Sequence, residues 1–276
     1  MALFVNTNVS SLNAQRHLDG TGTALSTALE RLSSGVRINN AYDDAAGLAI
    51  ADKLGRDVRV ATQAIRNAND GISALSIGEK SLGNVSSILT RLSELASQSA
   101  SGSITDTQRS AIQNEFAALL SEIGRLQNVT TFNGVQLLSA GTTVALQVGL
   151  DGTTNSQISF TTVDGTVSGI LSVAQTSIAA SSQASAQSAL ALLTSAIATV
   201  AEKRGLLGAT ESRLLQAIAN LQIAKENFSA AEGRIRDADV AEETANLTRA
   251  SILRQAGVAV LAQANQQPSL ALQLLR

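Results

Sequence analysis

Between Leu190 and Ile235 the apolar residues recur every seven positions. Leu193, Val200, Leu207, Leu214, Leu221, Phe228 and Ile235 all share one heptad site. The companion site is mixed, running Leu190, Ile197, Arg204, Glu211, Ile218, Lys225 and Glu232, and the flanking sites hold small residues such as Ala196, Ala201, Gly208, Ala217, Ala224 and Ala231. A repeat of seven predicts a long helix with a narrow apolar seam, and charges on that seam select the partner's register. At 1.5 Å per residue this helix would be roughly 65–70 Å long and needs an equally long partner. Residues 45–100 supply one. Val58, Ile65 and Ile72 alternate there with Leu54, Ala61, Ala68, Leu75, Leu82, Leu89 and Ala96 at three- and four-residue steps, for a helix of roughly 80 Å.

Outside these two runs the pattern is weaker. Val5, Val9 and Leu12, then Leu25, Leu29 and Leu32, predict a helix over 5–36 that Gly20 and Gly22 interrupt, each at about 1 kcal/mol relative to Ala. Gly35 is placed to stop it. Ser99 to Ile104 turns the chain, Thr105 with Gln108 resembles a capping box, and Ile112, Phe116, Leu119, Ile123 and Leu126 mark a six-turn helix ended by Phe132-Asn133-Gly134. Val144–Val148 and Ile158–Val163 alternate as strands, with turn dipeptides at Asp151-Gly152 and Asp164-Gly165, which predicts a β-hairpin region over about 135–175. A last helix over 240–264 carries Leu247, Ile252, Leu253, Val258 and Leu261, and Gln266-Gln267-Pro268 interrupts it before a short apolar tail, Ser269–Arg276. The expected fold is mainly α. Long antiparallel coiled-coil-like helices carry a small β-hairpin region, the N- and C-termini are paired, and the divisions fall at 1–44, 45–235 and 236–276.

Composition narrows the function. Aromatic residues are 2%, Trp and Cys are absent, and the formal net charge is −2. Small side chains suit helix packing, the charge gives no nucleic-acid footprint, and the lack of Cys removes disulfides and thiolate metal sites. No window reads as a membrane span, and residues 1–15 carry no Lys or Arg and no continuous apolar run, so no signal peptide is expected. His17 has no catalytic neighbour and reads as a surface residue. The pairs Asp43–Asp44 and Asp237–Asp239 stand at helix boundaries, where Asp caps helices. No enzyme activity, metal or other cofactor is expected. Terminal helices this weak are marginal alone, and many copies could bury them together, which points to a polymer.

Six motifs resemble bacterial flagellin. They are Val5-Asn-Thr-Asn-Val-Ser-Ser-Leu12, Glu30-Arg-Leu-Ser-Ser-Gly35, Asp44-Ala-Ala-Gly-Leu-Ala-Ile50, Ile65-Arg-Asn-Ala-Asn-Asp-Gly-Ile72, Phe132-Asn-Gly134 and Leu261-Ala-Gln-Ala-Asn-Gln266 with its Leu274-Leu-Arg276 end. The resemblance covers about 1–140 and 185–276, and the large outer domain of many flagellins has no counterpart. It implies a structural subunit, exported unfolded by the flagellar type III route, that polymerises under a cap protein into the extracellular filament used for swimming. Residues 1–44 and 236–276 would build the inner tube, and 45–235 the surrounding shell. It also implies an export chaperone on the Leu247, Ile252, Leu253, Val258 and Leu261 segment, and hook–filament junction proteins as neighbours. A host surface receptor would read Arg91, Leu95 and Glu115 on one exposed face, with Thr90, Ser93 and Ser97 departing from the commoner Gln, Arg and Val. A cytosolic inflammasome sensor would read Leu272, Leu274 and Leu275. Two alternatives remain at this point: a hook–filament junction protein of the same superfamily, and a secreted coiled-coil adhesin.

Overall fold

A computed structural model describes residues 7–139, 141–171 and 178–274, with side chains described as far as 267. The chain forms two compact units, residues 59–226 and residues 1–58 with 227–276. Among the described residues six α-helices and four strands follow in order: α1 (Val9–Ser34), α2 (Ala45–Ala100), α3 (Asp106–Val129), β1 (Thr131–Phe132), β2 (Val135–Gln136), β3 (Thr143–Gln147), β4 (Gln157–Thr161), α4 (Val167–Leu171), α5 (Gln183–Arg236) and α6 (Val240–Leu274). Helices α2 and α5 each contribute to both units.

In the 59–226 unit the seam of α5 is buried as its period requires. Leu193, Val200, Leu207 and Leu214 share one core with Leu75, Leu82, Leu89, Leu92 and Leu95 of α2 and with Ile112, Phe116, Leu120 and Ile123 of α3. Leu221 closes a smaller cluster with Ala61 and Ala64. The two long helices run antiparallel. Arg204 donates to Glu79 at 2.6 Å, and further along Ser99 Oγ donates to the Ala180 carbonyl at 2.5 Å just before α5 begins. At the turn between α2 and α3, Arg109 is buried and its guanidinium donates to the carbonyls of Ser99, Ser101 and Ile104. Gln108 Oε1 accepts from the Thr105 N–H at 3.0 Å, the return half of the expected capping box.

The β region holds two hairpins. In the first, Phe132 pairs with Val135 across Asn133-Gly134, both at positive φ (47° and 80°), the primed turn that Asn-Gly favours. In the second, β3 pairs antiparallel with β4 from Thr143–Thr161 to Gln147–Gln157. Ile158 and Phe160 point into the core while Gln157, Ser159 and Thr161 face outward. This hairpin is seated on α2 by two residues one turn apart. Asn67 donates to the Gln147 carbonyl at 3.0 Å, and a Cβ at Gly71 would lie 2.1 Å from Leu146 Cδ1, so a larger residue there would require the Leu146 side chain to move. Asp164-Gly165 is not a hairpin turn. Asp164 Oδ1 instead accepts from the N–H and hydroxyl of Thr166 at the start of α4.

Three local expectations are corrected. Gly20 and Gly22 do not interrupt α1, which is continuous, because a glycine lowers helix propensity without removing a backbone hydrogen bond. Pro268 does not end α6, whose backbone stays helical to Leu274. A window of α5 does meet the length and hydropathy of a membrane span, with mean hydropathy 1.4, because Gln183–Ala201 is charge-free and rich in Ala and Leu. Leu193, Ala196 and Val200 within it are buried in the protein core.

Phe116 is fully buried where α3 meets α2 and α5. Phe116→Ala should lower the unfolding free energy of the 59–226 unit by about 3–5 kcal/mol, read as an earlier urea midpoint by circular dichroism. An unchanged midpoint would place α3 outside the cooperative core.

Candidate assembly surface

The unit formed by the chain ends is built on a helix pair. Asn8 caps α1 through its side-chain oxygen, which accepts from Ser11 N–H at 3.0 Å, and Gly35 closes the helix at φ 73°. Asp44 accepts from Gly47 N–H at the start of α2, and Asp239 accepts from Ala241 and Glu242 N–H at the start of α6. These carboxylates satisfy backbone donors that a helix start leaves open. Among the described residues no group of three or more His, Cys, Asp or Glu could hold a metal ion. His17 is exposed.

Helices α1 and α6 lie along each other and meet through small side chains. Ala14, Ala28, Ala250 and Ala264 are buried, and a Cβ on Gly257 would come within 3.2 Å of Leu18 Cδ1. Register is held at three levels. Ser11 Oγ donates to Asn265 Oδ1 at 2.8 Å, and Arg31 pairs with the buried Glu243 at 3.0 Å. The backbone of Val36 bridges antiparallel to Asp237, with Arg37 N–H donating to the Arg236 carbonyl and Ala238 N–H to the Gly35 carbonyl. Phe228 and Ile235, the last seam residues of α5, are half-buried in this unit.

A methyl-lined interface removes little apolar surface, about 0.8 kcal/mol for each buried carbon. Several large apolar residues are left outside it. Ile252 is 60% exposed, and Leu253, Val258 and Val260 of α6 are exposed with Val9, Leu12 and Leu29 of α1. Leu247 and Leu261 are half-buried. Between Gly20, Ala24 and Ala28 of α1 and Asn246, Ala250 and Leu253 of α6 the pair also leaves an open groove of about 650 Å³. An apolar face of this kind marks an interaction surface.

The second predicted site is on α2 and α3. Arg91 donates to Glu115 at 2.9 Å and 3.0 Å and to Glu94 at 2.9 Å, all three side chains being exposed. The hydrogen bonds to Glu94 and then Glu115 raise the Arg91 pKa above its ordinary value. Leu95 does not share this exposed face. It is 2% exposed and packs in the core, one turn on from Leu92. Leu272 and Leu274 lie on helical backbone of α6 beyond the described side chains, and Leu275 lies outside the described residues. Arg109, which holds the α2–α3 turn, went unread in the sequence because its acceptors are carbonyls of an irregular loop.

Residues 5–143 match the profile of the bacterial flagellin N-terminal helical region, and residues 190–275 match that of the C-terminal helical region. This chain belongs to the bacterial flagellin family. A flagellin of Halalkalibacterium halodurans is 43% identical over 278 residues, covering 99% of this chain and 100% of that one. A flagellin of Bacillus subtilis is 36% identical over 99% of both chains. The crystal structure of Bacillus cereus flagellin superposes with a TM-score of 0.50 at 25% identity, covering 56% of this chain and 88% of that one. The flagellin is therefore a structural subunit that polymerises with itself into the extracellular flagellar filament, and the expected mainly α fold with paired terminal helices is the one its structure has.

The Arg31–Glu243 pair gives a direct test of the terminal unit. Arg31→Met leaves a buried carboxylate without its cation and should destabilise the helix pair by about 1–3 kcal/mol. Arg31→Met with Glu243→Met should recover most of that loss. The melting temperature of assembled filaments measures both, and equal melting of the single variant and the unaltered flagellin would show that the pair is only a surface contact.

Proposed function

We propose that the chain ends and the segment between them divide the work of the filament. Residues 1–44 and 236–276 form the inner tube, and 45–235, with its hairpins, forms the surrounding shell. The observation that supports this is the mismatch on the terminal pair: small residues are buried between α1 and α6, while Val9, Leu12, Leu29, Ile252, Leu253, Val258 and Val260 stay exposed. Neighbouring copies of the chain are the natural cover for such a face in a self-polymerising protein. The role is structural rather than catalytic. Of the acidic pairs singled out in the sequence, Asp44 and Asp239 are engaged as helix caps and Asp43 accepts from the loop N–H groups of Asn39 and Asn40, and the one His is exposed.

Further partners follow from the same surfaces. Before assembly, Leu247, Ile252, Leu253, Val258 and Leu261 offer an export chaperone the apolar face that later packs in the tube. The cap protein and the hook–filament junction proteins meet the same terminal unit at the two ends of the filament. The exposed Arg91–Glu115 pair is the part of the receptor motif that a host surface receptor can reach. Leu95 supports that surface from beneath. Leu272, Leu274 and Leu275 are the candidates for a cytosolic sensor.

Two outcomes test this division. Removing Asp151–Ser156, which forms the exposed loop of the second hairpin, should leave filaments intact in electron micrographs, while removing Ser269–Arg276 should weaken or abolish them. Full motility after the tail deletion would overturn the tube assignment. In a receptor reporter line, Arg91→Ala with Glu115→Ala should lower the response at least ten-fold, as expected when about 1.4 kcal/mol of binding is lost. A dose–response unchanged from the unaltered flagellin would remove Arg91 and Glu115 as contacts.

A further inference from the structure

Helix α6 runs through Pro268. In an α-helix the carbonyl of residue 264 accepts from the N–H of residue 268, and proline has none. That carbonyl belongs to Ala264, which is buried. An unmatched buried carbonyl is costly, so its partner has to come from elsewhere. It comes from the other end of the chain. Asn8 Nδ2 donates to the Ala264 carbonyl at 2.8 Å, across 256 residues of sequence. The same side-chain amide accepts from Ser11 N–H at 3.0 Å through its oxygen. One residue on, Ser11 Oγ donates to Asn265 Oδ1 at 2.8 Å.

We infer that Asn8 is a positioning residue for the C-terminal turns of α6: it fills the hydrogen-bond gap that Pro268 opens, so that helix beyond 268 forms only where the first turn of α1 is docked. One primary amide serves both helices. Its oxygen satisfies a donor at the start of α1, and its nitrogen satisfies the acceptor that proline strands in α6. The two chain ends are thereby matched to a single register, because a one-residue slip would present Asn8 with a carbonyl that already has its N–H. Without Asn8 the proline acts as a helix breaker, and the segment after it loses its direction.

Asn8→Asp separates the two roles of the amide. Its carboxylate still accepts from Ser11 N–H and suits a helix N-terminus, but it has no hydrogen to donate to Ala264. If Asn8 were only a cap, this variant would assemble like the unaltered chain. The gap-filling role predicts that the critical concentration for filament growth rises about ten-fold or more, the scale of one stranded buried acceptor. It also predicts that amide hydrogen exchange over 269–274 in filaments speeds up. Pro268→Ala restores an N–H for Ala264, so in that background Asn8→Asp should change the critical concentration less than about three-fold, an additivity failure that reports direct coupling. Where Asn8→Asp alone does not assemble, regained assembly in the double variant supports the coupling and continued failure overturns it. Equal losses in both backgrounds, or no loss in either, also overturn it.

Discussion

Everything in the terminal unit depends on bringing residues 35–38 and 235–239 together. The backbone bridge between Val36 and Asp237 joins the end of α1 to the start of α6, and Arg31–Glu243 fixes the first turn beyond it. From that point two helices must run side by side with little to hold them except methyl groups. Close approach is possible because the facing residues are Ala14, Ala28, Ala250, Gly257 and Ala264. The arrangement is economical in volume and poor in apolar burial, and it leaves an apolar face exposed. A self-polymerising family and an interface of this composition suit one another.

The 59–226 unit follows a different rule. Its core is continuous, with large side chains from α2, α3 and α5 and from the inward face of the β region. Arg109 shows how the rule is kept at the turn. A buried guanidinium is tolerated because three carbonyls at the turn accept from it, and for Ser99 and Ile104 it supplies a donor at a helix end. One side chain thus solves two desolvation problems. The seating of the second hairpin on Asn67 and Gly71 works the same way, with a hydrogen bond and a missing Cβ acting on the same helix face.

How much of this was readable in advance depended on whether the cause was local. The seven-residue spacing of Leu193 to Leu221 predicted burial correctly, and the alternation of Ile158 and Phe160 predicted the inward face of a strand. Asn133-Gly134, Asp44 and Asp239 announced a turn and two caps with chemistry contained in a few residues. The failures had distant causes. Pro268 breaks a helix by local rules, and its compensation sits at Asn8. Leu95 was grouped with Arg91 by motif, although its spacing from Leu92 and Ala96 places it on the buried stripe of α2. No membrane-length window was expected, yet the charge-free start of α5 has the hydropathy of one, and its Leu193 and Val200 pack in the protein core.

Gly20 and Gly22 carry a consequence of their own. Both face open space, with no atom within 4 Å of where a Cβ would stand, so no packing requirement excludes alanine there. Each glycine costs a helix about 1 kcal/mol relative to alanine, which is about a five-fold drop in the statistical weight of the helical form, and the two together make it roughly thirty-fold. α1 is nonetheless a continuous helix against α6, so the contacts of the pair outweigh that local cost.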